Sequence, residues 1–223
     1  MYKDKEIKEL LELVDGHKSL TFQSQLYLQE ELNARGLSKE VAVLDSTIAK
    51  TSSNIKNFHF LKDLGFKVED VGNSFKVKRT TNAILTDMAA IVLGLLLSMY
   101  GFVKLLSITV LAPENEADFS INSVITLIVY GVMILIGVKF LNGVKRFLDF
   151  LGFELSKSDT EIILKKRFDL KLEERSVEAS SFQLERRKDR MILKVNDDSL
   201  LDSNANDIIQ KMTIESLYKR LRS

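Results

Sequence analysis

The sequence predicts a membrane protein that is mainly α. A two-helix transmembrane hairpin carries an N-terminal helical domain and a small α+β C-terminal domain, both cytoplasmic. Three observations predict this. First, charge is partitioned along the 223 residues: residues 1–80 hold 13 bases and 12 acids, residues 81–153 hold 4 and 5, and residues 154–223 hold 15 and 14. Second, the charge-poor third contains two apolar runs near the ~20 residues that a bilayer-spanning helix needs. Third, the charged flanks repeat apolar residues with helix or strand period. The expected domains are 1–80, 81–153 and 154–223, with spans at about 84–106 and 122–141.

In the first domain, "KDKEIKELLELV" (residues 3–14) places Ile7, Leu10, Leu11 and Val14 on one helical face, and Asp15-Gly16 ends it. A second helix is expected over 20–35, stopped by Gly36. Ser38 is a good N-cap for a third, which the spacing of Val41, Leu44, Ile48, Ile55, Phe58 and Leu61 extends towards Leu64. "FKVEDVGNSFKVKR" then alternates about a Gly-Asn-Ser turn, a hairpin signal. Three helices and a hairpin resemble a winged helix. The third helix exposes Lys50, Ser52, Ser53, Asn54, Lys56 and Asn57, as a nucleic-acid reader could. Duplex affinity needs a basic footprint, and this segment is nearly neutral, so sequence-specific DNA binding is disfavoured against a protein- or ligand-binding module.

In the middle third, "TDMAAIVLGLLLSMYGF" opens on Asp87 and repeats small residues every fourth place: Thr86, Ala90, Gly94 and Ser98. "SVITLIVYGVMILIGV" supplies the second run, with Ser123, Thr126, Tyr130, Met133 and Gly137 on one face and Gly131 as a further small residue. Small residues let helix backbones approach in lipid, where apolar burial gives no drive. They are candidates for packing within the hairpin, for self-association, or for lining a pore. Asp87 and Lys139 each lie about one turn inside the same membrane face. They are expected to pair or to line a wet interior with Thr126 and Tyr130; the other reading is that each reaches the interface separately. Lys104, near the outer boundary, reads as an interfacial anchor. The loop "PENEADFS" has three acids and no base, whereas Lys76, Lys78 and Arg79 precede the first run and Lys145 and Arg146 follow the second. Basic flanks stay cytoplasmic, so both termini are expected inside a bacterial inner membrane. The charged N-terminus shows no cleavable signal. "KFLNGVKRFLDFLGF" continues as an amphipathic helix, lying along the inner leaflet or bundling with copies of itself.

The last third reads as strands in "TEIILKKRFDLKLEE", "SFQLERR" and "RMILKV", with Lys188-Asp189 at a tight turn. A closing helix over 205–222 turns Ile208, Ile209, Met212, Leu217 and Leu221 inward. This arrangement resembles the small pleckstrin-homology-like domains of some bacterial membrane proteins. Lys165, Lys166 and Arg167, and Arg186, Arg187, Lys188 and Arg190, are candidates for an anionic ligand or lipid head groups. A solvated sheet face is the alternative.

No catalytic constellation is present. The chain has no cysteine, and His17 and His59 stand apart from metal-ligand spacing. No phosphate-loop, dinucleotide, zincin or nucleophile-elbow motif occurs. A non-enzyme without metal or cofactor is expected. Two spans, a tiny outer loop and charged cytosolic domains resemble, in architecture, the small two-span effectors of bacterial nucleotide-signalling and anti-phage defence systems of the Hailong type. That resemblance implies a homo-oligomer, a gated ion path and an oligonucleotide-type regulator. The alternative is a membrane-anchored adaptor or regulator whose helices only tether modules that bind a protein partner.

Overall fold

The computed structural model describes residues 1–71, 74–109, 121–158, 161–168 and 171–223. The helices are α1 (Ile7–Asp15), α2 (Phe22–Ala34), α3 (Ser38–Lys56), α4 (Thr81–Thr109), α5 (Ile121–Leu141), α6 (Gly143–Phe150) and α7 (Ile208–Arg222). The strands are β1 (Phe66–Val71), β2 (Ser74–Arg79), β3 (Glu154–Lys157), β4 (Ile162–Phe168), β5 (Lys171–Val177), β6 (Phe182–Arg187), β7 (Arg190–Val195) and β8 (Asp198–Asn204). The fold is mixed α+β, with 61% of the described residues helical and 24% in strands, so strands weigh more than a mainly α class implies. One sheet has the order β1-β2-β3-β4-β5 and a second the order β6-β7-β8. The Gly72-Asn73 turn, Leu170 and the acidic loop Pro113–Ser120 lie outside the described residues.

Contacts divide the chain into two compact units, where the sequence reading expects three consecutive segments. The first comprises Met1–Lys76, Ser156–Ile162 and Ser176–Ser223; the second comprises Val77–Leu155 and Ile163–Arg175.

In the first unit, Leu10 of α1, Leu28 and Leu32 of α2 and Leu44 of α3 are fully buried in one cluster. Burying each such side chain contributes roughly 1.5–3 kcal/mol. Ile208, Ile209 and Met212 of α7 pack against this cluster, and α7 also packs on β6, β7 and β8. This helix is what joins residues 1–76 to residues 176–223. Its first turn is capped by Asp207, whose carboxylate accepts from the backbone N–H of Ile209 (3.0 Å) and Gln210 (3.2 Å). Its last turn receives the Lys157 ammonium on the Arg220 carbonyl at 2.9 Å, a cation at the negative end of the helix dipole.

Local details depart from the sequence reading. Leu37, not Ser38, occupies the N-cap of α3. The helix stops at Lys56, where Phe58 takes a left-handed φ of 58° and a 3-10 turn follows to Leu64. Strands β3 and β8 were not expected. Opposite the Leu193–Lys194 step of β7, β8 carries one extra residue, Leu200, so the pairing passes from Leu193↔Leu201 to Lys194↔Ser199. The bulge leaves Leu200 and Leu201 both buried, which a strict alternation forbids.

Helix α1 carries a pH-dependent start. The Glu9 carboxylate accepts the backbone N–H of Glu6 at 3.0 Å and lies 3.3 Å from the Lys5 ammonium. The backbone hydrogen bond first, then Lys5, holds its pKa below the ordinary 4.5. A lowered carboxylate pKa stabilises the fold above the unfolded value and loses that contribution as pH falls through the folded one. Protection of the first-turn amides of α1, taken relative to their intrinsic exchange rates, is expected to fall below about pH 4.5, and Glu9→Gln should remove that loss. An unchanged acid response in that variant would show that Glu9 is not its source.

Candidate functional site

The second unit is built on α4 and α5, which pack on each other. With 29 residues, α4 is ~44 Å long at 1.5 Å per residue. Both helices are long and apolar enough to cross a membrane. Glycine decides how closely they approach. A side chain begun at Gly94 would meet the Gly137 carbonyl at 2.8 Å and Phe140 Cβ at 2.9 Å. One begun at Gly101 would meet Ile134 Cγ1 at 2.9 Å and the Tyr130 carbonyl at 3.0 Å. One begun at Gly137 would overlap Ser98 Oγ and lie 2.7 Å from the Gly94 carbonyl. Ser98 Oγ is buried with no hydrogen-bond partner among the described residues.

The seam therefore differs from the expected every-fourth stripe. On α4 the contacts Gly94, Ser98 and Gly101 extend to Asp87, Ile91 and Leu105, all at least partly buried. This alternates four- and three-residue steps, as two helices in a left-handed pair require. A strict four-residue stripe drifts about 40° per step off such a seam. Thr86 consequently faces out and bonds its own helix at the Asn82 carbonyl, 2.8 Å. Ala90 is partly buried. On α5 the seam runs through Tyr130, Ile134, Gly137 and Leu141. Gly131 lies off it, with nothing within 4 Å of where a side chain would start. Thr126 and Met133 are partly buried, and the side chain of Ser123 lies outside the described ones. Tyr130 stands edge-on to Tyr100 at 6.2 Å, and the exposed Lys104 ammonium lies 5.9 Å from the Tyr100 ring centre.

Asp87 is paired, but with Arg79 rather than Lys139. The Arg79 guanidinium donates to its carboxylate at 2.7 Å, with Arg79 only 2% and Asp87 16% exposed in their side chains. The same guanidinium lies 5.4 Å from the Phe150 ring centre, and Phe150 stands edge-on to Phe153 at 5.5 Å. The register explains why Lys139 is absent from this group. Gly94 touches Gly137, Phe140 and Leu141, so Lys139 is level with Gly94. Asp87 is seven residues away along α4, ~10 Å at 1.5 Å per residue. Equal distance from the two sequence-defined span ends was a misleading guide to depth. Lys139 is exposed.

The two basic clusters are largely engaged. In β4, Ile162, Leu164 and Lys166 share the buried row, and Lys166 is 7% exposed, so it does not face an outside ligand. Arg167 donates to the Leu151 carbonyl at 3.3 Å. Lys165 pairs with Glu174 at 2.5 Å, and that hydrogen bond raises its pKa. Across the β6–β7 pair Arg187 and Lys194 both bind Glu185, whose pKa they lower, Arg187 foremost. Arg190 pairs with Asp202 at 2.7 Å. Arg186 and Lys188 stay exposed, the latter at a left-handed φ of 48°.

Protein-family models, curated proteins and solved structures offer no match to this chain. The residues themselves must carry the reading. Among the described residues no three His, Asp or Glu side chains gather as a metal site. The best-defined polar constellation is the buried Arg79–Asp87 pair under Phe150, at the open end of an apolar hairpin. Sequence reasoning treated Arg79 as a topology-setting flank. The period-two row Phe75, Val77, Arg79, buried throughout β2, was the signal that could have found it.

Proposed function

We propose that the protein is a bacterial inner-membrane protein whose α4–α5 hairpin crosses the bilayer and anchors non-catalytic binding modules on the cytoplasmic side. One observation carries the anchoring reading. Gly94, Ser98, Gly101 and Gly137 are consumed by contact within one chain, and Asp87 is neutralised by Arg79, so these residues are not left to line a pore. Support for the membrane comes from exposure. Only 11% of the apolar window of α4 and 6% of that of α5 is buried, whereas a soluble core helix would bury most of its length. Leu96, Met99 and Leu135 are 61%, 63% and 70% exposed, surface that water would penalise at ~25 cal/mol per Å². In this reading the modules serve an adaptor or regulator and bind a protein or small anionic partner.

Alkaline carbonate extraction of bacterial membranes tests the anchor. The full chain is expected to stay wholly in the pellet; release into the supernatant would end the membrane reading.

A second reading, a homo-oligomeric effector or channel, is favoured by Gly131, whose open flank offers a close approach to a second hairpin. It predicts a discrete oligomer by light scattering in detergent and a loss of liposome ion flux of roughly ten-fold in Gly131→Leu, about what disrupting ~1.4 kcal/mol of association would give. A monomer without flux would leave the anchor alone.

A further inference from the structure

Helices α5 and α6 form a nearly continuous rod. Asn142 between them keeps helical dihedrals, φ −59° and ψ −20°, and its N–H reaches the Val138 carbonyl at 3.3 Å. Residues spaced i, i+3, i+4, i+7 therefore share a face across the joint. On that face stand Lys139, Asn142, Gly143 and Arg146. Lys139, Asn142 and Arg146 are exposed, and a side chain begun at Gly143 meets nothing within 4 Å. Neither Lys139 nor Arg146 has an acidic partner among the described residues. Asp149, the acid closest in sequence, makes no ion pair among the described residues either. This contrasts with Lys165, Arg187 and Arg190, each held by a carboxylate.

The two cations are seven residues apart, ~10 Å along the axis. A lysine and an arginine side chain each reach ~6–7 Å from the backbone, so both heads can converge on one anion over the open notch at Gly143. Asn142 adds an amide donor beside it. One turn towards the apolar end on the same face, Leu135 and Ile136 are exposed apolar side chains, where acyl chains would continue from a headgroup.

We propose that Lys139, Asn142, Gly143 and Arg146 form a seat for the phosphate headgroup of an anionic phospholipid. This rests on the membrane reading above. It relocates the anion site from the strand clusters, where the sequence pointed, to the base of α5. The phosphate replaces the absent carboxylate partner of Lys139, which otherwise stands in an apolar segment with no counter-charge. Lys145 belongs to a different face, about 100° round the helix from Arg146, and takes no part.

The test uses the full chain reconstituted in phosphatidylcholine vesicles, with spin-labelled phosphatidylglycerol and spin-labelled phosphatidylcholine compared for their immobilised, protein-contacting fractions. The wild type is expected to select phosphatidylglycerol. Lys139→Gln and Arg146→Gln should each lower that selectivity about five-fold, the effect of one cation near an anionic surface. Gly143→Leu should lower it without changing charge, and Lys145→Gln should leave it unchanged. Equal losses in Lys145→Gln and Arg146→Gln would reveal diffuse charge and overturn the seat. Full displacement of phosphatidylglycerol by millimolar inorganic phosphate would overturn the lipid as its occupant. Retention of the chain in vesicles with no selectivity would overturn the seat alone, whereas release from vesicles at alkaline pH would overturn the membrane reading and the seat with it.

Discussion

Gly137→Leu is expected to break the α4–α5 hairpin. Its first side-chain atom would overlap Ser98 Oγ and lie 2.7 Å from the Gly94 carbonyl and 2.8 Å from the Ser98 amide nitrogen. Two of these three atoms are backbone, so rotamer changes cannot relieve the clash and the helices must separate. Overpacking costs typically about 1–3 kcal/mol, and separation also forfeits dispersion contacts along a seam that has no hydrophobic drive to restore them in lipid. A loss of ~3 kcal/mol in reversible unfolding in mixed micelles follows. Gly131→Leu is the matched control, adding the same atoms to the same helix where nothing lies within 4 Å. It should change monomer stability by less than about 0.5 kcal/mol. Ser98→Ala should be neutral or slightly stabilising, because a buried hydroxyl without a partner is removed rather than a bond broken. Equal destabilisation by the two leucines would refute the seam, since only one of them meets the partner helix.

Much of the architecture was legible because it depends on composition alone. Two apolar runs need only length and hydropathy, and Gly36 and Gly65, both at left-handed φ, mark ends that the backbone needs whatever packs nearby. What escaped depends on register or on long-range contact. The Asp87–Lys139 pairing was inferred from span ends, yet the depth of Lys139 is fixed by where Gly94 meets Gly137. That register joins residues about 40 positions apart, and no local pattern specifies it. The small stripe was found with the wrong period, so Gly94 and Ser98 belong to the seam while Thr86 does not, and Gly101 was missed. Strand charges were assumed to face water. Period two in Phe75-Val77-Arg79 and Ile162-Leu164-Lys166 places both cations on buried rows, and giving that alternation precedence over the charge would have shown it. The partition of residues 1–76 with 176–223 was illegible, since the apolar face of α7 does not announce which layers it covers.

An effect of similar size is expected at Asp87. Removing one member of a buried ion pair costs roughly 3–5 kcal/mol, because the remaining charge is stranded away from water. Here the charge left without its carboxylate would be Arg79, whose side chain is 2% exposed. Asp87→Ala should therefore cost about 3 kcal/mol, at the lower end because the carboxylate keeps 16% exposure. Arg79→Met should cost less, about 1–2 kcal/mol. It preserves much of the stem packing and leaves the carboxylate, the wetter of the two charges. The double variant Arg79→Met/Asp87→Leu should recover most of the loss, since no charge then remains to be desolvated, although the 5.4 Å cation–π contact with Phe150 is forfeited at about 0.5–2 kcal/mol. A coupling energy of at least ~1 kcal/mol between the two sites is the measurable signature. Strictly additive costs, or an Asp87→Ala variant as stable as the wild type, would show that the pair is a solvated tie. Strong coupling would show instead that the last residue of β2 is locked to the second turn of α4. The start of the apolar helix is then fixed by a charge pair that has no lipid-facing alternative.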